Sequence, residues 1–438
     1  MLSFRVFEPG VWAARIVIVL FTLSALLGLV AVIAQTGARF RTRVVFITLF
    51  VITFPAPGET NFMLLGRQVL GENPALAFMI AALLLWWRNW ESQQLVSDVF
   101  CGILLALSLL TKLQVAMPLA LVILCVALIR AAKRRAALWR GLVPLATAAG
   151  VYLLWTIVTQ IGTPEILRSE HRQIMLEGVH IHFLSGLFPA KFDRTITLIL
   201  VLVALATGFV GWRWLRQLSE MQTPTTQERA ENTLALMIAL GVIWVAVFSI
   251  GWPRYYYSIL IFALILIGEF LWQALAAASL RLTRGRAEIA ERLTLTGATG
   301  CILLFMNLHV LSDIHQALPD YAGQMSAYID AHVPGEAIIE TWEWQVDALS
   351  QHRQYHHPHQ LMMWEALRQH SRERQFNLKY DLLQANPDYL LLGTFGVWTG
   401  IYDMKIVGEQ FDWEAGFGPY QLYRRKQQRL LEFIPDGD

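Results

Sequence analysis

Residues 251–272 read Gly251-Trp252-Pro253-Arg254-Tyr255-Tyr256-Tyr257 followed by SILIFALILIGEFLW, ending at Trp272. From 254 onward the run is long and apolar enough to cross about 30 Å of hydrocarbon, which takes roughly 20 helical residues. Gly251 to Arg254 form a tight polar turn at its head. Five further runs are of the same kind: 11–35, 141–161, 195–212, 233–250 and 294–311. Shorter runs at 44–56, 75–87, 97–111 and 115–129 fit a tilted span, a helix broken near Pro55, Pro74 or Pro118, or a re-entrant element. Counting these as spans gives about ten transmembrane helices and a mostly α fold class.

Composition agrees with that reading. Of 438 residues 55% are hydrophobic and only 16% charged, against about 25% charged in an average soluble domain, so an integral membrane protein is expected. Cys101, Cys125 and Cys301 all lie in apolar runs without Cys-x-x-Cys or Cys/His spacing, which excludes a disulfide framework and a thiolate zinc site. Net charge is +2, but residues 1–311 hold 25 Lys/Arg against 15 Asp/Glu, whereas 312–438 hold 10 against 18. The chain therefore divides into a polytopic transmembrane domain, 1–311, and an acidic extracytoplasmic domain, 312–438. Nucleic acid is not an expected partner; membrane lipids are.

Ten crossings make successive loops alternate in side, and the basic residues alternate with them. Loops 36–43, 88–96, 130–140, 213–232 and 273–293 carry 16 Lys/Arg, and the other set only 7. The first set is therefore cytoplasmic, which puts the N-terminus and residues 312–438 outside. Met1 to Gly10 lacks a signal peptide's charged and apolar regions. Either the first helix inserts unaided with its N-terminus out, or a segment precedes it.

The acidic part reads as a small α/β domain. A helix is expected over Asp320–His332, stopped by Pro334-Gly335, then a strand over Ala337–Trp342, an amphipathic helix over Leu361–Phe376 and a strand over Tyr389–Leu392.

Several polar groups exceed what membrane anchorage requires. Glu72 begins an apolar helix in Gly71-Glu72-Asn73-Pro74, where it is either a functional intramembrane carboxylate or a solvated one favoured by the helix dipole. Lys112 occupies the turn Leu110-Thr111-Lys112-Leu113-Gln114 and either snorkels to headgroups or binds an anionic phosphate. Arg254, with Tyr255 and Tyr256, combines a guanidinium fork, a helix N-terminus and hydroxyls, all suited to phosphate; an aromatic belt is the alternative. The outer loop 162–193 holds His171, Arg172, Glu177, His180, His182, Lys191 and Asp193. His180 and His182 share a face only on an extended segment, so they are a metal pair there and solvated histidines otherwise. The tract His352, His356, His357 and His359 lacks acidic or cysteine partners at ligand spacing and is discounted as a metal site. Trp342-Glu343-Trp344 ends a buried strand or forms a substrate-facing edge.

The order of these segments resembles the C-type integral-membrane glycosyltransferases, most of all the branch of protein O-mannosyltransferases and lipid A aminoarabinose transferases. The likeness rests on Gly-Glu-Asn-Pro-Ala at 71–75, Leu-Thr-Lys at 110–112, the polar loop 162–193, Pro-Arg-Tyr-Tyr-Tyr at 253–257, Glu-Thr-Trp-Glu-Trp at 340–344 and Pro-Asp-Tyr-Leu-Leu-Leu-Gly at 387–393. The resemblance implies sugar transfer from a polyprenyl-phosphate donor to a hydroxyl or amine of a lipid or protein acceptor, with inversion, on the outer face. Arg254 and Lys112, with Tyr255 and Tyr256, then match donor-phosphate positions. Glu72 matches a carboxylate that helps hold a divalent metal in some members, with His180 or His182 as second ligand and Arg67 and His171 as secondary contacts. The family's general base is an acidic residue in the loop after its first transmembrane helix. This sequence has no such helix and loop before Val11, so the base is expected upstream of Met1. The alternative is a non-catalytic glycosyltransferase-like membrane subunit.

Overall fold

The structure, a computed structural model, describes residues 11–36, 41–54, 62, 65, 71–90, 92, 94–133, 138–161, 197, 200–208, 210–211, 225–249, 253–283, 289, 296–297, 300, 319–359, 361–362, 365 and 380–426. They fall into two compact units, one ending before residue 316 and one beginning after it.

The first unit is helical throughout its described residues, because backbone groups in hydrocarbon must be satisfied within their own segment. Its principal helices are α1 Val11–Gln35, α2 Arg41–Thr53, α3 Glu72–Arg88, α4 Leu95–Thr111, α5 Leu113–Lys133, α6 Leu138–Ile161, α7 Thr226–Phe248 and, after a 3₁₀ turn Pro253–Tyr256, α8 Tyr257–Leu282. Five described helices are long and apolar enough to cross a membrane; α2 and α4 are shorter apolar helices. The chain is an integral membrane protein. The expected span 195–212 is helical at its described residues, 197, 200–208 and 210–211, whereas 294–311 lies largely outside the described residues, as do the loop 162–193 and Arg67.

Helices α3 and α8 form the centre. Along α3 residues 72–77 are all buried, and along α8 so are residues 257–266, whereas α6 exposes Leu153, Leu154 and Trp155. A helix apolar on every side belongs inside such a bundle, and an exposed leucine face belongs against lipid. The break allowed for near Pro118 does not occur: α5 runs straight through it. Gly241 of α7 explains the fit, since a Cβ there would lie 3.1 Å from Pro118 Cγ and 2.8 Å from Ile259 Cγ1. A bare glycine lets α7 approach both α5 and α8, and neighbouring helices support a proline in a membrane helix.

One strong polar link crosses this interior. Arg43 of α2 donates from Nε to Glu269 Oε2 of α8 at 2.5 Å, and its Nη2 reaches Ile33 O at 3.3 Å, at the end of α1. Gln273 Nε2 donates to the other Glu269 oxygen at 3.0 Å.

The second unit is built on a five-stranded sheet ordered β2-β1-β3-β5-β4, from β1 Ile339–Thr341, β2 Tyr355–His356, β3 Tyr389–Leu392, β4 Phe411–Phe417 and β5 Tyr420–Arg425. β2, β1 and β3 run parallel, and β5 and β4 complete the sheet antiparallel. Alternation along β3 sends Tyr389 and Leu391 into one core with Met325 and Ile329, and Leu390 and Leu392 into a second with Trp342 and Phe411. Helix α9 Tyr321–His332, capped by Asp320 on the Gly323 amide at 3.0 Å, supplies the first core. Short helices α10 Trp344–Leu349, α11 Thr394–Thr399 and α12 Met404–Gln410 follow strands or lead into β4. Helix α9 and strands β1 and β3 lie where sequence reading expects them; Leu361–Phe376 is largely outside the described residues.

Candidate active site at one end of the bundle

The N-terminus of α3 begins against the C-terminus of α4. A Cβ on Gly71 would stand 3.0 Å from Thr111 O, and Ser108 Oγ donates to Ala75 O at 2.7 Å. The α4 helix then stops: Lys112 is extended, donates its amide to Ser108 O at 2.8 Å and receives the Val115 amide at 3.1 Å. This one-residue break between α4 and α5 aims the Lys112 side chain at Glu72. Nζ stands 3.1 Å from Glu72 Oε1, with Glu72 fully buried and Lys112 partly open.

Neither Glu72 oxygen has a hydrogen-bond partner among the described residues, so the pair is held by charge, without ideal donor geometry. Beside it, Asn73 accepts the Tyr257 hydroxyl proton at 2.5 Å and donates to Thr22 Oγ1 at 2.9 Å. Asn73 thus ties α1, α3 and α8 together directly beneath the ion pair.

The 3₁₀ turn brings two cations to one ring. Lys112 Nζ lies 5.9 Å and the Arg254 guanidinium 5.7 Å from the Tyr255 ring centre, within reach of cation–π attraction. Glu72, Lys112, Arg254 and Tyr255 are therefore neighbours at one end of the bundle, drawn from three separate stretches of sequence. Tyr256 is buried in the wall. Arg67, His171, His180 and His182 lie outside the described residues.

Asn73 and Tyr257 are the participants that sequence reading missed. Both sit inside the quoted motifs, but an asparagine in a first turn and the third of three tyrosines carry no spacing signal of their own. Their pairing is a tertiary fact across 184 residues.

Among the described residues no three His, Cys, Asp or Glu side chains gather as metal ligands. Glu72 is a single carboxylate paired with a lysine, and the expected partner ligands His180 and His182 lie outside the described residues.

With this geometry in hand, solved structures supply a comparison. ArnT from Cupriavidus metallidurans, a lipid A aminoarabinose transferase solved bound to undecaprenyl phosphate, superposes with a TM-score of 0.60 at 12% identity, over 98% of this chain and 86% of that one. The apo Archaeoglobus fulgidus oligosaccharyltransferase superposes with a TM-score of 0.50 at 12% identity, over 95% of this chain and 64% of that one. This chain has the C-type glycosyltransferase fold. The sequence matches no protein-family model and no curated protein.

The histidine tract of the second unit is structural in its partners. His352 Nε2 lies 2.8 Å from Ala337 O, and His357 lies 2.9 Å from both Thr341 O and Asp347 Oδ2. His356 Nδ1 meets the fully buried Glu340, which also accepts from Tyr380 at 2.7 Å and Tyr402 at 3.2 Å. Burial pushes the Glu340 carboxyl above the usual glutamate range, against the lowering effect of those hydrogen bonds. Glu343 is raised by burial as well, although its Oε1 accepts the Phe395 and Gly396 amides at 2.8 Å. Those contacts fix the start of α11, so Trp342-Glu343 ends a buried strand.

Proposed function

We propose that this chain is a membrane glycosyltransferase that moves a sugar from a polyprenyl-phosphate donor to an acceptor hydroxyl or amine at the outer membrane face, with inversion. The observation that carries this reading is the gathering of Lys112 and Arg254 on Tyr255 at one end of a bundle with the C-type glycosyltransferase fold. The Cupriavidus protein of that fold holds undecaprenyl phosphate, which supports a donor of the same chemistry here.

In this reading each residue has one task. When the anomeric carbon–oxygen bond breaks, negative charge collects on the departing lipid phosphate. A guanidinium fork and an ammonium fixed at that point stabilise the transition state more than the ground state. Arg254 supplies the fork and Lys112 the ammonium. Glu72 holds Lys112 in place from the buried side, and Asn73 with Tyr257 keeps the start of α3 from shifting. The acceptor's proton goes to a general base outside these residues.

The test is transfer from polyprenyl-phosphate sugars of defined headgroup, measured on the wild type and on Arg254→Ala and Arg254→Lys. Losing one charge-assisted contact, about 1.5 to 3 kcal/mol, lowers turnover about 10- to 150-fold. Lysine keeps the charge without the fork, so its defect is intermediate. Normal transfer by Arg254→Ala removes this residue from the site. An inert wild-type chain that still binds the donor favours the non-catalytic subunit.

A further inference from the structure

A concavity lies at the opposite end of the bundle from the Lys112 ion pair and plays no part in the proposed reaction. Its volume is about 430 Å³, and Gln35 closes it from α1, Trp87, Arg88 and Trp90 from the end of α3, and Thr226 and Arg229 from the first turn of α7. Glu72 and Arg88 are the two ends of one 17-residue helix, so about 24 Å separates this cavity from the Lys112 ion pair.

The walls are made for an anion with an apolar surround. Arg88 is exposed and makes no hydrogen bond or ion pair with a described residue. Thr225 caps α7 in a reciprocal box with Glu228, which directs that helix's first turn, and the positive end of its dipole, to the cavity. Nearby, Arg130 stacks 4.0 Å from the Trp90 ring and lies within electrostatic reach of Arg229 and Asp98. The acidic counterweights are Asp98, held by Asn89 Nδ2 at 2.6 Å, Glu228 of the capping box, and the buried Glu231, which accepts from Gln227 Nε2 at 2.8 Å. Asn89 also folds the connection to α4 by accepting from the Gln94 amide and Ser92.

We infer that this cavity binds a phosphate ester, with Arg88 and Arg229 holding the phosphate oxygens and Trp87 and Trp90 lining the ester's apolar side. Its position at a bundle end where arginine and tryptophan meet suits the headgroup of an anionic phospholipid, and a soluble phosphate ester presents the same chemistry. The site stands independently of sugar transfer, because none of its residues belongs to the Lys112 and Arg254 cluster.

The experiment is thermal unfolding of the delipidated full chain in neutral detergent, titrated separately with dioleoyl phosphatidylglycerol, dioleoyl phosphatidylcholine and glycerol 3-phosphate. Phosphatidylglycerol raises the midpoint saturably, since a ligand that binds only the folded state stabilises by mass action. Arg88→Gln and Arg229→Lys each raise the apparent Kd about tenfold or more, while Arg281→Gln, an exposed arginine of the same bundle end on α8, leaves it unchanged. Stabilisation by glycerol 3-phosphate with the same variant pattern identifies a soluble ester as occupant. Three results overturn the site: equal stabilisation by phosphatidylcholine, an equal loss in Arg281→Gln, or no loss in either cavity variant. Arg88 is exposed and Arg229→Lys keeps its charge, so both variants retain the fold, and their unliganded midpoints serve as the control.

Discussion

At the scale of single residues, the Glu72–Lys112 pair is asymmetric, with a fully buried carboxylate and a partly open ammonium. Removing the cation strands a charge in a dry interior, which costs about 3 to 5 kcal/mol. Lys112→Met should therefore lower the melting midpoint sharply, and Glu72→Gln in the same chain should recover most of the loss. A double-mutant cycle in detergent measures this, and additive losses would deny the coupling. The buried carboxyls of the second unit carry the opposite lesson. Their folded pKa values lie above the ordinary 4.5, so the stability each contributes is complete below 4.5 and is lost as pH rises through the folded value. Between neutral pH and about 4.5, acidification should raise the second unit's melting midpoint. Glu343→Gln keeps the acceptor for the Phe395 and Gly396 amides and removes the charge, so it should flatten that slope. A midpoint that falls monotonically on acidification in both proteins would contradict this.

At the scale of elements, close approach of helices depends on a few glycines. A Cβ at Gly102 of α4 would fall 2.5 Å from Pro144 O and from Thr147 Cβ of α6, and a backbone oxygen cannot step aside cheaply. Gly102→Ala should thus cost about 1 to 3 kcal/mol through overpacking. Gly150 of α6 has open space where a Cβ would go, so Gly150→Ala should be neutral or stabilising by up to about 1 kcal/mol. Comparing the two melting midpoints separates packing from helix propensity. The contrast also marks how much of the fold was legible. Apolar length marks the helices, and the apolar run Tyr389–Leu392 marks β3. The β4–β5 hairpin also has a signal in the sequence: Phe411, Trp413, Ala415 and Phe417 alternate, and Gly418, with φ of 55°, turns the chain. The Arg43–Glu269 link was not legible. Arg43 looked like one more cytoplasmic loop cation, and nothing in an apolar run tells Glu269 that its partner lies 226 residues earlier. The site divided the same way: the chemistry of Glu72, Lys112 and Arg254 was visible in short motifs, but the Asn73–Tyr257 bond that sets their spacing was not.

At the scale of the whole molecule, every functional assignment depends on which bundle end faces the cytoplasm. Helix α3 carries both readings, with Glu72 at one end and Arg88 at the other. The loops flanking the Arg88 end belong to the set with 16 Lys/Arg, and those flanking the Glu72 end to the set with 7. Basic residues resist translocation, so the Glu72 end and the acidic second unit should lie outside. Reporter cysteines decide this once Cys101, Cys125 and Cys301 are replaced by alanine. Gln94→Cys and Ala132→Cys, both exposed and at the Arg88 end, should be shielded from a membrane-impermeant thiol reagent in intact cells and labelled only after permeabilisation. Arg353→Cys and Gln421→Cys, exposed in the second unit, should be labelled without it. The full set is needed because a single unlabelled cysteine is also explained by local burial, whereas permeabilisation distinguishes sidedness from access. Labelling of Gln94→Cys in intact cells together with protection of Gln421→Cys would invert the molecule. It would place Lys112 and Arg254 on the cytoplasmic side and the phosphate-ester cavity outside, and the proposed reaction would then lose its outer-face donor site.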